Sequence, residues 1–236
     1  MHRLRCLPSS PARRFFVVTT TRAVIFANGE LKDGEAVRRW LRPDDYLIAA
    51  DGGLRHLQRL GLQPHRLIGD LDSLTPEEAA ALQVAGVQVE RHPAEKDETD
   101  LELAIQYALQ QGYRQMRIVA ALGGRLDQTL ANLALLEMPG LEGVDIRLDD
   151  GQEEIFIIRD QAVVEGAAGD TVSLLAMNEC TKGIVTSGLK YALNHETLCP
   201  NRTRGISNEM TAERAEIRLL TGKLLCMHTR RPSSEG

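Results

Sequence analysis

A chain of 236 residues suffices for one large domain or two modest ones, and length alone does not choose between them. Hydrophobic residues make up 43% and charged residues 26%, the balance of a soluble globular protein, while 4% aromatics leave few rings for stacking on single-stranded nucleic acid. The net charge of −5 is uneven. Residues 1–21 hold Arg3, Arg5, Arg13 and Arg14 and no acid, so the remainder carries −9 and binds phosphate poorly unless a divalent cation intervenes.

In chain order, residues 1–21 read first, as a disordered extension or an early start, with a transit peptide as the alternative. Residues 22–150 then alternate strand-like apolar runs with helical periods. Strands are predicted at 23–27, 46–50, 66–68, 87–91, 116–121 and 145–148. Most are continuously apolar, as in a parallel sheet covered on both faces. Thr75-Pro76-Glu77-Glu78 offers a helix cap with proline at the first helical position. Leu101, Ala104, Ile105 and Ala108 mark one face of a second helix, stopped by Gly112. Leu130, Leu133 and Ala134 mark a third, closed by Pro139-Gly140. This alternation predicts a layered α/β domain.

After Asp149-Asp150-Gly151 the pattern changes. Short strands at 154–159, 162–165, 171–177, 183–186, 215–220 and 223–229 predict a second, all-β sandwich domain over 151–230. Thr221-Gly222 is expected to close a tight hairpin between the last two strands. Residues 190–208 lack periodicity and read as a long loop. Cys6, Cys180, Cys199 and Cys226 form no CxxC and no short pairing, so thiols in a reducing cytoplasm are expected. No apolar run approaches the roughly 20 residues of a membrane span.

Four loops of the first half carry chemistry, at strand ends where open α/β sheets place ligands. Ala50-Asp51-Gly52-Gly53 combines a carboxylate with glycines that permit a sharp turn; a plain strand-to-helix turn would also explain it. Gly69-Asp70-Leu71-Asp72-Ser73 sets two carboxylates two residues apart on extended chain, a natural site for Mg²⁺, which prefers oxygen ligands. Lys96-Asp97-Glu98-Thr99-Asp100 belongs to a stretch, 70–102, with ten acids against two bases, and its Asp97 and Asp100 are expected to share a face of a helix start. An acidic first turn facing the helix dipole would also explain Asp97 and Glu98. Gly123-Gly124-Arg125-Leu126-Asp127-Gln128 follows a strand and opens a helix, a pattern suited to anions, with Arg125 able to grip phosphate oxygens in pairs. For Asp127 an N-cap is the simpler reading. Three acidic loops and one basic glycine loop on a single edge point to phosphoryl-type transfer, and GxxxxGK[ST] is absent, so this is no P-loop protein.

In order and spacing these motifs resemble the thiamine pyrophosphokinases. The resemblance continues through Gly188-Leu189-Lys190-Tyr191 and Arg204-Gly205-Ile206-Ser207-Asn208-Glu209, covering about residues 23–228. It implies an N-terminal α/β nucleotide domain, a C-terminal β-sandwich, and a homodimer with active sites between subunits. Asp70, Asp72 and Asp100 would hold Mg²⁺. Asp51, Gly52, Gly53, Lys96, Asp97, Thr99 and Gly124 would shape the ATP site, and Arg125 with Asp127 would complete its phosphate end. Tyr191, Ser207, Asn208 and Gln128 would meet thiamine. Gln128 departs from the family pattern, since many bacterial members carry His there. Residues 1–21 match nothing in it. The implied reaction moves the diphosphate of ATP to the thiamine hydroxyl, releasing AMP. A pyrophosphokinase for another heterocyclic alcohol such as a hydroxymethylpterin, an aspartyl phosphatase using Asp70, and a non-catalytic nucleotide or thiamine sensor are the rivals.

Overall fold

The computed structural model describes residues 21–72 and 74–231, so residues 1–20 of the N-terminal extension, Cys6 among them, Ser73 and residues 232–236 lie outside the described residues. The first half runs β1 (Ala23–Phe26), α1 (Gly34–Trp40), β2 (Tyr46–Ala50), α2 (Leu54–Arg59), β3 (Arg66–Gly69), α3 (Pro76–Val84), β4 (Gln88–Arg91), α4 (Asp100–Gln110), β5 (Gln115–Val119), α5 (Leu126–Ala134) and β6 (Asp145–Asp149). Its strands are parallel, in the order β6-β5-β1-β2-β3-β4. The apolar runs are continuous because both faces are covered. Ile25, Ile48, Ile68 and Ile118 pack with Leu101, Ala104, Ile105 and Ala108 of α4. Val24, Phe26, Leu47, Leu67 and Val119 face the other way, against Val37 of α1 and Leu54 and Leu57 of α2. The capping box expected at α3 forms: Thr75 Oγ accepts from Glu78 N–H, and Glu78 reaches back to Thr75 N–H.

The second half runs β7 (Glu153–Ile158), β8 (Gln161–Glu165), β9 (Thr171–Ala176), β10 (Thr181–Ser187), β11 (Asn194–Leu198), β12 (Asn208–Glu209), β13 (Arg214–Arg218) and β14 (Leu224–Thr229). At the Asp149–Gly151 turn the first sheet does not end. β7 folds back antiparallel on β6, and β14, β9 and β12 follow, making ten strands. A second, four-stranded sheet, β11-β10-β13-β8, lies over this extension. Phe156, Ile158, Val172, Leu174, Leu224 and Cys226 pack against Val164, Ile184, Ala215 and Ile217 between them. The fold is thus an α/β layer joined to an antiparallel β-sandwich.

Partly buried polar pairs stitch the junction. Arg147 reaches Asp145 at 2.8 Å and Glu154 at 3.2 Å, Arg230 grips Asp149 at 2.9 Å, and His228 Nε2 lies 2.9 Å from Asp170. Burial alone would raise the Glu154 carboxyl. The His228 ring and the guanidinium groups of Arg147, Arg117 and Arg230 outweigh that and hold it down at about 2.

Three expectations are corrected. Residues 190–208 are not one loop, because they contain β11. That strand is polar, lies at the edge of the small sheet and buries only Leu198, so it shows no alternation. The last two strands form no hairpin. β13 pairs with β8 and β10 in one sheet and β14 with β7 and β9 in the other, so 219–223 crosses the sandwich. Finally, Cys180 and Cys199 form a disulfide. Thr181 pairs with Leu198 across β10 and β11, which brings the two flanking cysteines to a Cα separation of 4.1 Å. Cys226 is a buried thiol whose pKa burial drives up.

Candidate active site

The strand order runs outward from β1 through β2, β3 and β4 on one side and through β5 and β6 on the other. The strand order reverses between β1 and β5, the usual ligand site of such sheets, and there the chain after β1 runs along the chain after β5, with Gly29 N–H on Ala120 O and Glu30 N–H on Leu122 O. A cleft of about 790 Å³ opens there.

Asp51 lines it from the end of β2, in the left-handed region at φ +43°, at the start of one 3-10 turn, Asp51–Gly53. Gly52 and Gly53 are buried beneath rather than facing the cleft. A Cβ on Gly53 would sit 1.8 Å from Phe26 O, and one on Gly52 2.2 Å from Asn28 Oδ1. Their role is close packing of this turn on β1. Asp70 lines the cleft from the end of β3, and its Oδ1 accepts Asp72 N–H at 2.9 Å. Asp72 itself is exposed, outside the cleft lining, with an oxygen 3.7 Å from Arg91.

Thr99 caps α4 by accepting Glu102 N–H, so Asp100 is the first helical residue and lines the cleft. Asp97 precedes the helix, exposed and outside the lining, so the shared helix face expected for Asp97 and Asp100 does not form. Lys96 Nζ stands 2.9 Å from Asp100 Oδ1. That oxygen is buried and has no hydrogen bond of proper geometry.

Gly124, Arg125, Asp127 and Gln128 line the opposite wall. Gly123 and Gly124 take φ of +80° and +66°, which aims the following helix start at the cleft. Arg125 donates from Nε and a terminal nitrogen to the two Asp127 oxygens, at 3.1 and 2.6 Å. Asp127 sits inside the first turn of α5 and is not its cap, and the Arg125 bonds hold its carboxyl below the usual range. Both side chains are largely exposed, free to exchange this pairing for a ligand.

Asn28, Glu30 and Asn132 also line this cleft and escaped the sequence reading. Asn28-Gly29 directly after the first predicted strand was the available signal: a turn dipeptide at the central strand of an α/β sheet.

Tyr191 and Asn208 line a second pocket, of about 300 Å³, with Leu174, Leu193, Arg204 and Ile206. Asn208 is occupied in holding Tyr191: its Oδ1 accepts Tyr191 N–H at 3.0 Å and its Nδ2 donates to Tyr191 O at 2.8 Å. The Tyr191 ring is exposed. Ser207, at φ +55°, donates its N–H to Ser173 Oγ and lies outside the lining. The four residues expected to meet thiamine are thus divided, with Gln128 in the large cleft and the other three at or beside the small pocket.

Among the described residues no group of three His, Cys, Asp or Glu side chains stands ready to hold a metal ion. The donors present are nonetheless hard oxygens: Asp70 and Asp100 line one cleft, and Mg²⁺ would take the place of the Lys96 ammonium on the buried Asp100 Oδ1.

A switch-point crevice with carboxylates on one wall and a glycine–arginine turn on the other defines an α/β enzyme of phosphoryl-group transfer. Residues 37–171 match the thiamin pyrophosphokinase catalytic domain, and residues 155–224 match the thiamin pyrophosphokinase vitamin B1 binding domain. The thiamine pyrophosphokinase of Bacillus subtilis (strain 168) is 30% identical over 184 residues, 77% of this chain and 86% of the relative. A crystal structure of thiamine pyrophosphokinase from Bacillus subtilis aligns with a TM-score of 0.79 at 27% identity, over 90% of this chain and 100% of that one. A thiamin pyrophosphokinase family protein from Enterococcus faecalis aligns at 0.74 and 29%, over 89% and 100%. The enzyme from Candida albicans shares the fold at 0.73, with 15% identity over 89% of this chain and 88% of that one. The chain belongs to the thiamin pyrophosphokinase family.

Proposed function

We propose that this enzyme transfers the diphosphate of ATP to the hydroxyl of thiamine. The thiamine oxygen bonds to the β-phosphorus, the bond from that phosphorus to the α,β-bridging oxygen breaks, AMP leaves, and the hydroxyl proton is released. The observation that carries this is the gathering of Asp51, Asp70, Asp100 and Arg125 into one cleft from four separated segments of chain. Asp70 and Asp100, with Asp72 in the same turn as Asp70, would hold Mg²⁺, which supplies charge neutralisation on the phosphates when bound. Arg125 exchanges Asp127 for phosphate oxygens in two parallel bonds. Asp51 and Thr99 shape the nucleotide end.

The α/β part, 22–150, serves the nucleotide and the β part, 151–230, serves thiamine, with Tyr191 as the stacking ring. The acidic cleft suits the cationic thiazolium. A homodimer fits the exposed Leu126 and Leu130 beside the cleft and Tyr191 and Ile206 beside the small pocket, four apolar side chains that a second copy would cover. A cytoplasmic location follows the supply of ATP; the Cys180–Cys199 disulfide stands against it. Among the described residues no helix is long and apolar enough to cross a membrane. The test offers thiamine and a hydroxymethylpterin in parallel, with ATP and Mg²⁺. Diphosphate should appear on thiamine alone, and transfer to the pterin alone would replace thiamine in this reading.

A further inference from the structure

The loop after β1 touches both glycine turns of the cleft. Asn28 lies over Gly52, where a Cβ would come within 2.2 Å of Oδ1. Ala120, buried and left-handed at φ +55°, bends the chain after β5, and the loop follows the bend: Gly29 N–H donates to Ala120 O at 2.6 Å and Glu30 N–H to Leu122 O at 2.8 Å. A side chain at position 29 would collide with both carbonyls, at 2.5 Å each. On the other side, His56 Nε2 lies 3.0 Å from Gly29 O, and burial pushes the His56 pKa down, favouring a neutral ring that donates there. The loop is therefore clamped from two elements. From it the Glu30 side chain reaches over the second turn: Oε1 accepts Gly124 N–H at 3.1 Å, and a Cβ on Gly123 would fall 2.5 Å from the carboxylate carbon.

We infer that Glu30 is a positioning residue of this enzyme, holding the Gly123-Gly124 turn through Gly124 N–H and so fixing where Arg125 meets the diphosphate of the nucleotide. This rests on the ATP reading of the cleft. Glu30 is exposed and buries little, so its removal leaves the fold standing.

The test measures ATP binding in the presence of Mg²⁺ by calorimetry, both KM values and the unfolding midpoint, for the wild type, Glu30→Ala and Glu30→Gln. Glu30→Ala should weaken ATP about tenfold, the scale of one hydrogen bond, with the KM for thiamine unmoved. Glu30→Gln, whose amide oxygen still accepts from Gly124, should recover most of that loss. Wild-type ATP affinity in Glu30→Ala would overturn the inference. A Glu30→Gln variant as weak as Glu30→Ala would overturn it too, since charge would then matter rather than the bond. Tighter ATP in both variants would mean that the carboxylate only competes with phosphate, and would likewise overturn it. If the predicted binding pattern holds while the wild type makes no thiamine diphosphate, the inference stands and the thiamine reading falls.

Discussion

Arg125 is the residue that the proposed reaction sets against the phosphates, and it is exposed with its charge spent on Asp127. Replacing it disturbs no core. Arg125→Ala should lower kcat by about 100-fold or more with an unchanged unfolding midpoint, the usual scale for a group that meets developing transition-state charge. Arg125→Lys should restore little, because an ammonium offers no planar fork. Near-wild-type kcat in the alanine variant would remove Arg125 from the phosphate end. Asp51 and Asp70 were legible in the sequence because each sits where an apolar strand run stops, Asp100 because it falls in an acid-rich helix start, and Arg125 because it follows a glycine pair that opens a helix. Glu30 was not. Its partner, Gly124, is 94 residues away, and no local pattern reports a bond of that span.

At the scale of elements, α4 carries both the core and the site. Its buried face packs on β1, β2 and β3, and its first residue is Asp100. Ile105→Ala, at a position with no exposure, should cost about 2–5 kcal/mol in a denaturant titration while the KM for ATP in the surviving folded protein holds steady. A loss below 1 kcal/mol would show that the α4 face is not the core it looks to be. The parallel strands were readable because burial on both faces makes them unbroken apolar runs, and α3 because its capping box is local. β11 was not readable, since an edge strand that buries one residue in five has no hydrophobic period. The β13–β14 hairpin was misread for a related reason: Thr221-Gly222 has turn chemistry, yet which sheet each strand joins is decided by partners far along the chain. The disulfide follows the same logic, its cysteines being brought opposite by the register of β10 and β11.

Over the whole molecule, the ten-stranded sheet runs through both halves, and a polar network at residues 145–154, 170 and 228–230 joins them. The network sets a pH dependence. The folded-state pKa of Glu154, about 2, lies below the 4.5 of a free glutamate, so its charged form favours folding. That contribution is complete above about pH 4.5 and is lost as pH falls toward about 2, on the order of 3 kcal/mol in all. Asp145 and Asp170 are shifted in the same direction. Denaturant midpoints should therefore fall between pH 5 and pH 3, and equal midpoints at those two values would show that the network is neutral to stability.

The transfer reaction itself is tested most directly by incubating the purified protein with ATP, Mg²⁺ and thiamine and resolving nucleotide and thiamine products together. AMP and thiamine diphosphate in equal amounts are the expected result, because attack at the β-phosphorus moves both outer phosphates at once. ADP with thiamine monophosphate would contradict it, since attack would then fall on the terminal phosphorus and the cleft would be that of a simple kinase.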